Sequence, residues 1–144
     1  MSLPADTTTA LASELRALVG QLKRRLREQA SPGDFTPSQI AVLLRLEREG
    51  AMTTSGLARR EGMRPQSMGA VIAPLEAAGF IAGVPDPADG RQTLLSLTPA
   101  CHARLAQARA ARQDWLSRQL AASLSTPEQT HVAQAVTLLR RLLD

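Results

Sequence analysis

The stretch TTSGLARREGMRPQSMGAVIAPLEAAGF, residues 53–80, decides how this chain folds. It reads as two short helices, about Thr54–Glu61 and Pro65–Ala78, joined by a turn at Gly62 and stopped by Gly79. A helix-turn-helix needs a small residue where its helices touch and a glycine in the turn for a positive φ. Ala58 and Gly62, four apart, fit those two roles. Leu57, Met63, Met68 and Val71 fall at the apolar positions that seal the pair, whereas Glu61 stands where another apolar residue is often found.

With Met68, Val71, Ile72 and Leu75 turned inward, Gln66, Ser67, Gly69, Ala70 and Ala73 turn outward, and Arg64 leads the helix. A small, polar outer face lets a helix enter a major groove closely, with Gln66 and Ser67 reaching base edges. The other reading is a surface helical hairpin with solvated polar residues.

The next stretch, VPDPADGRQTLLSLT at residues 84–98, favours the groove. Pro85, Pro87 and Asp89-Gly90 make a loop, then Thr93, Leu95 and Leu97 alternate with Leu94 and Ser96 as on a half-buried strand. A recognition helix followed by a hairpin is a winged helix, and the loop is the wing. Arg91, beside the turn, is placed to reach a narrow minor groove, where negative potential favours a guanidinium. Asp89 is placed to hold it. Against this stands a solvated loop whose Asp–Arg pair is worth little.

Outside this region the pattern is helical. Residues 7–30 carry Leu11, Leu15, Leu18, Leu22 and Leu26 on one face, widened by Val19, with Arg16, Lys23, Arg24, Arg25 and Arg27 largely on the others. Ser31-Pro32-Gly33-Asp34 breaks that helix. Three dipeptides, Thr36-Pro37, Thr98-Pro99 and Thr126-Pro127, each set an N-cap hydroxyl before a proline at the first helical position. Gln39 and Gln129 complete capping boxes for the first and last. The second helix, about Pro37–Arg48, is expected to bury Ile40, Leu43 and Leu44. A fifth follows over about Pro99–Ala122, with Leu105, Ala108, Trp115 and Leu116 among its apolar positions. A sixth, about Pro127–Leu143, has Val132, Val136, Leu139 and Leu143 at helical spacing.

At 144 residues the chain is one domain by length, with Phe35, Phe80, Trp115 and no tyrosine. An aliphatic core of this kind suits packed helices. Seventeen Lys+Arg against thirteen Asp+Glu leave a net +4, which is compatible with nucleic acid without establishing it. The N-terminus carries no secretory pattern and no apolar run spans a membrane, so a cytoplasmic protein is expected. One cysteine, Cys101, builds no intrachain disulfide. Enzymatic chemistry has little support. His102 and His131 form no metal spacing with Cys101, and phosphate loop, nucleophile elbow and paired-carboxylate motifs are absent, so neither cofactor nor metal is expected. The stronger rival to a DNA-binding protein is a helical protein-interaction module.

Residues 75–98, LEAAGFIAGVPDPADGRQTLLSLT, resemble the MarR family of bacterial transcription regulators. The likeness lies in a Leu-Glu end to the recognition helix, a glycine, a strand, an aspartate-rich wing with D-x-R, and a strand ending in Leu-Thr. Asp89, Arg91, Leu97 and Thr98 occupy those places. The resemblance spans nearly the whole chain and implies a mostly α fold with a small β-hairpin wing. Residues 36–98 would form the DNA-binding lobe, and 7–30 with 99–144 a helical dimerisation region. It implies a homodimer on a pseudo-palindromic double-stranded operator, acting as a repressor relieved by a small-molecule effector bound between dimerisation helices and DNA-binding lobe. The hydrophobic rows on the first, fifth and sixth helices, too large for one small core, agree with a dimer. The expected DNA-contacting set is Ser38, Gln39, Thr53, Ser55, Arg64, Gln66, Ser67, Asp89, Arg91 and Gln92.

Four departures from the family pattern stand out. Where the strand before the wing often carries phosphate-binding arginines, this chain has Ala82-Gly83. Cys101 replaces a frequent glycine, Pro74 interrupts the recognition helix and should bend it, and the first helix lacks the cysteine of the family's organic-peroxide sensors. Cys101, third in a helix capped by Thr98, would feel a helix dipole that lowers thiol pKa, which offers a redox-sensing alternative. Against that, most lone cysteines pack as small apolar residues.

Overall fold

The computed structural model describes residues 4–30 and 35–144. The expected break at Ser31–Asp34 lies outside the described residues. In chain order the elements are α1 (Ala5–Gln29), α2 (Pro37–Glu49), β1 (Met52–Thr53), α3 (Thr54–Glu61), α4 (Pro65–Ala77), β2 (Ile81–Pro85), β3 (Thr93–Leu97), α5 (Pro99–Ser123) and α6 (Thr126–Arg140). They divide into two compact units, one of residues 32–107 and one of 1–31 with 108–144.

The first unit holds the core. Val42, Leu43 and Leu46 of α2 meet Leu57 and Ala58 of α3, and Met68, Ile72 and Leu75 of α4. Ile81 of β2, Leu95 of β3 and Cys101 of α5 close the cluster. The buried face of α2 is therefore set differently from the sequence expectation. Leu43 is buried as expected, but Ile40 is only half-buried and Leu44 is 38% exposed. Val42 and Leu46, four apart and on one side of the helix, take their place.

The sheet is antiparallel, ordered β1-β3-β2. The hairpin was legible, but its third strand was not. Met52 pairs with Leu95 and Thr53 with Leu94 over only two residues, too short to show alternation. β2 is an edge strand, which tolerates Pro85 opposite Thr93. Gly83 answers to packing, because a Cβ there would stand 2.4 Å from Cγ2 of Thr93. The strand before the wing thus carries a glycine under a threonine methyl.

Helix ends follow cap chemistry. Thr36 accepts from Gln39 N at 3.2 Å while Gln39 Oε1 accepts from Thr36 N at 2.9 Å, the expected capping box. Thr98 Oγ1 accepts from Cys101 N at 3.2 Å and donates to the Gly79 carbonyl at 2.7 Å. The end of the hairpin is thereby tied to the turn after α4. α4 runs on through Pro74 as a single helix; the Ala70 carbonyl that loses its partner there belongs to an exposed residue.

At α6 the expected cap is displaced by one residue. Ser125, not Thr126, is the N-cap, and its box partner is Glu128, not Gln129. A carboxylate next to the positive end of a helix is favoured over a neutral amide. The hydrogen bonds with Ser125 hold the Glu128 carboxyl below its usual range. Gln129 instead donates from Nε2 to the Leu124 and Leu120 carbonyls at the end of α5. Ser125→Ala is expected to lower stability by about 0.5–2 kcal/mol, with Thr126→Ala costing clearly less. Urea melts of both variants check the order.

The other unit contains α1, α6 and the C-terminal part of α5. Neither α1 nor α6 has a buried residue. Leu11, Leu18, Val19 and Leu22 of α1 are exposed, as are Val132, Val136, Leu138 and Leu139 of α6. Arg112 Nη2 donates to the Ala30 carbonyl at 3.4 Å within this unit.

Candidate nucleic-acid interface

The turn between α3 and α4 forms as its residues dictate. Gly62 sits at φ 66°, ψ 33°, the left-handed conformation that glycine adopts without steric cost. Its N–H bonds back to Ala58 and Arg59, and Met63 N donates to the Ala58 carbonyl at 2.8 Å. Ala58, buried against α4, leaves room for that approach. Thr53 caps α3, accepting from Gly56 N at 3.1 Å, and its Oγ1 lies 3.3 Å from Ser55 Oγ.

Glu61, the apparent misfit of the motif, has a partner that sequence spacing could not reveal. Arg45 of α2 donates from Nε to Glu61 Oε1 at 2.5 Å and from Nη1 to Glu49 Oε2 at 2.6 Å. Arg60 Nη1 reaches the other Glu49 oxygen at 3.0 Å. This chain of charges fastens α2 to α3 at the position where the sequence reading expected an apolar contact. The Arg45 hydrogen bond, helped by the Arg60, Arg45 and Arg48 charges, holds the Glu49 carboxyl below its usual range.

α4 then presents a well-defined outer face. Met68, Ile72 and Leu75 are buried and Val71 is half-buried, while Gln66, Ser67, Ala70 and Ala73 are exposed and Gly69 is intermediate. Arg64 is the exposed N-cap residue; its side chain makes no capping bond, and Pro65 opens the helix.

The wing loop is braced by its own backbone. Asp86 N donates to the Gln92 carbonyl at 2.9 Å, Gln92 N to the Asp89 carbonyl at 3.0 Å, and Asp89 N to the Asp86 carbonyl at 3.2 Å. Asp89 Oδ1 accepts from both the backbone N (3.1 Å) and Nε (3.3 Å) of Arg91, whose side chain is 93% exposed. The expected Asp89–Arg91 pair is present, and it leaves the guanidinium in solvent.

An open cleft joins these parts. Thr53, Thr54, Ser55 and Pro65, at the starts of α3 and α4, face Gln92 and Thr93 at the base of the wing. Thr53, Ser55 and Gln92 are thus brought together from the expected set. Ser38 belongs to a separate recess with Pro37, Ala41, Glu61 and Met63. Gln39 spends its amide oxygen on the α2 cap. Thr54, Pro65 and Thr93 were missed, because only the pairing of β1 with β3 carries the wing base to the start of α3.

The MarR family profile matches residues 35–93, from the start of α2 to the wing. An HTH-type transcriptional regulator of Mycobacterium tuberculosis is 40% identical over 139 residues, covering 96% of each chain. The chain belongs to the MarR family. This regulator is also 28% identical to the HTH-type transcriptional repressor MdtR of Bacillus subtilis, over 85% of this chain and 78% of that one. Its fold matches a transcriptional regulator of Thermotoga maritima with a TM-score of 0.80, at 20% identity and 94% coverage of both chains. It also matches a Staphylococcus aureus MepR variant, solved bound to an oligodeoxyribonucleotide, with a TM-score of 0.72, at 19% identity and 93% and 98% coverage. The mostly helical, winged helix-turn-helix architecture and the role of DNA-binding transcriptional regulator follow.

The redox reading of Cys101 meets an opposing environment. The residue is 1% exposed, and its thiol is pushed up by burial and by the nearby Glu47 charge, against a smaller lowering by Arg104. Desolvation acts against the low thiol pKa that the helix position suggested. Cys101 packs with Ile81 and Leu95 as a core residue. Nearby, Arg104 covers Phe35 and Phe80, at 5.1 and 5.2 Å from their ring centres, and the two rings meet edge-on at 5.2 Å.

Proposed function

We propose that the regulator is a homodimeric repressor that reads a pseudo-palindromic operator with α4 in the major groove and the wing in the minor groove. The observation that carries this reading is the division of α4. Its apolar row is seated in the core, while Gln66 and Ser67 stand exposed behind the cationic Arg64. Arg91 is the minor-groove contact, and Ser38, Gln39, Thr53, Ser55 and Gln92, with Asp89 bracing Arg91, make up the rest of the surface toward DNA. Repression agrees with the likeness to MdtR.

Dimerisation through residues 7–30 and 99–144 is supported by the uncovered aliphatic rows of α1 and α6. A second copy of this chain covers them and sets two α4 helices roughly 34–36 Å apart, one turn of duplex. Sedimentation of the purified protein should give twice the chain mass; a monomer at micromolar concentration would refute the arrangement. A small-molecule effector relieves repression only through unequal affinity for DNA-competent and DNA-incompetent dimers. No helix among the described residues is long and apolar enough to cross a membrane, consistent with action on cytoplasmic DNA.

The deciding experiment is selection of bound sequences from random duplex DNA at moderate salt. A palindromic motif is expected, with affinity falling steeply as salt rises; recovery of no motif would overturn the proposal. Gln66→Ala and Ser67→Ala should then each relax preference at particular base pairs, by about 1–3 kcal/mol. A substituted protein that keeps the parental motif would mean that a different face of α4 meets the bases.

A further inference from the structure

Most glycines among the described residues have reasons that can be read one by one, but two inside helices do not. Gly50, Gly62 and Gly79 hold positive φ, which favours glycine. Gly56 lies under the capping hydroxyl of Thr53, 3.2 Å from a would-be Cβ, and Gly83 lies under the Thr93 methyl. Gly90, in the wing turn, has open space and no positive φ, but it lies outside any helix, where glycine carries no helix penalty. Gly20 and Gly69 are helix-interior residues where a Cβ would meet nothing within 4 Å. Glycine is a poor helix former, so the folded chain itself gains nothing from either.

Gly69 differs from Gly20 in its setting. It falls three residues after Gln66 and four before Ala73, on the exposed side of α4, with Ala70 beside it and Arg64 one turn ahead. Every residue on that face beyond Ser67, as far as Ala73, is smaller than a valine. Close approach of another molecule is the remaining physical use for a missing side chain at this point.

We infer that Gly69 is a specificity-determining contact of this regulator, the point at which α4 comes nearest to the DNA. This rests on the proposed placement of α4 in the major groove. With no side chain at 69, the helix axis sits deep enough for Gln66 and Ser67 to reach base edges. A methyl group at 69 lifts the helix and withdraws both. The position reads sequence by exclusion, admitting the base pair beneath it only when no bulky group fills the gap.

The test is Gly69→Ala in the full-length protein, measured by thermal melting and by binding to the duplex selected by the unaltered protein. Melting should rise by roughly 3 °C, because alanine is the better helix residue and has room. Affinity for the selected duplex should fall at least tenfold, and a repeated selection should shift preference at the base pairs nearest Gly69. A higher melting point with unchanged affinity and preference overturns the inference while leaving DNA binding intact. A lower melting point overturns it too, since the glycine would then serve the fold. If the unaltered protein selects no sequence, the placement of α4 fails first and this inference falls with it.

Discussion

Leu57→Ala is expected to destabilise the fold by about 2–5 kcal/mol, the range for deleting a large buried aliphatic side chain. Leu57 is 0% exposed and lies among Leu43, Met68, Leu75 and the other buried residues of the core. The reason for expecting the upper part of that range is the length of α3. Eight residues cannot sustain a helix in water, so α3 owes its order to the contacts of Leu57 and Ala58. A domain of this size is typically stable by about 5–15 kcal/mol, so such a loss is a large part of the total. Urea unfolding followed by circular dichroism measures it, with Val84→Ala, on the exposed edge of the wing, as the mild comparison. A cost below about 1 kcal/mol for Leu57→Ala would mean that α3 is not anchored by this side chain. DNA binding should fall with stability, because α3 fixes the angle at which α4 is presented.

What the sequence revealed and what it hid divide along one line. Features decided within a few residues were legible: Gly62 in the turn, the cap at Thr36, the Asp89–Arg91 pair, and the period that seats Met68, Ile72 and Leu75. The cap of α6 is local too, yet it was misplaced, because two overlapping capping patterns compete there and the charged one wins. Features decided by distant chain segments were hidden. Glu61 read as a flaw in the motif until Arg45, sixteen residues earlier, supplied its counter-charge. The two-residue β1 has no period of its own and exists because β3 offers an open edge. Cys101 shows the same division, since its helix position argued for a low pKa and its burial, a property of the whole core, pushes the thiol up.

The candidate interface follows the same rule. The faces of α4 were legible because helical geometry fixes them once the apolar positions are known. The cleft shared by Thr53, Thr54, Ser55, Pro65, Gln92 and Thr93 was not, because its two sides meet only through the sheet. Gly83 is instructive for a different reason. The pair Ala82-Gly83 was read as standing where arginines are frequent, and the packing of Thr93 across Gly83 gives the glycine a structural cause. Arg91 is thus the one basic residue of the hairpin, residues 81–98, and the hairpin's positive charge is concentrated in the wing loop.

That concentration makes Arg91→Ala the substitution with the largest expected effect on DNA binding. The Arg91 side chain is 93% exposed, and its pair with Asp89 is an exposed one, worth at most about 1 kcal/mol to the fold. The loop keeps its shape through the Asp86–Gln92, Asp89–Gln92 and Asp86–Asp89 backbone bonds, none of which uses the arginine side chain. Melting temperature should therefore hardly change. Affinity for the selected duplex should fall by about 1–3 kcal/mol for each wing engaged, and a two-fold complex engages two, so a loss of about thirtyfold or more is expected. Arg91→Lys separates charge from shape. A lysine keeps the charge but not the planar guanidinium that a narrow groove holds, so it should restore only part of the affinity. Full recovery with lysine would reassign the residue to a phosphate, with a salt dependence flatter by about one ion per wing when the charge is removed. Undiminished binding by Arg91→Ala would take the wing out of the interface and leave α4 to bind alone.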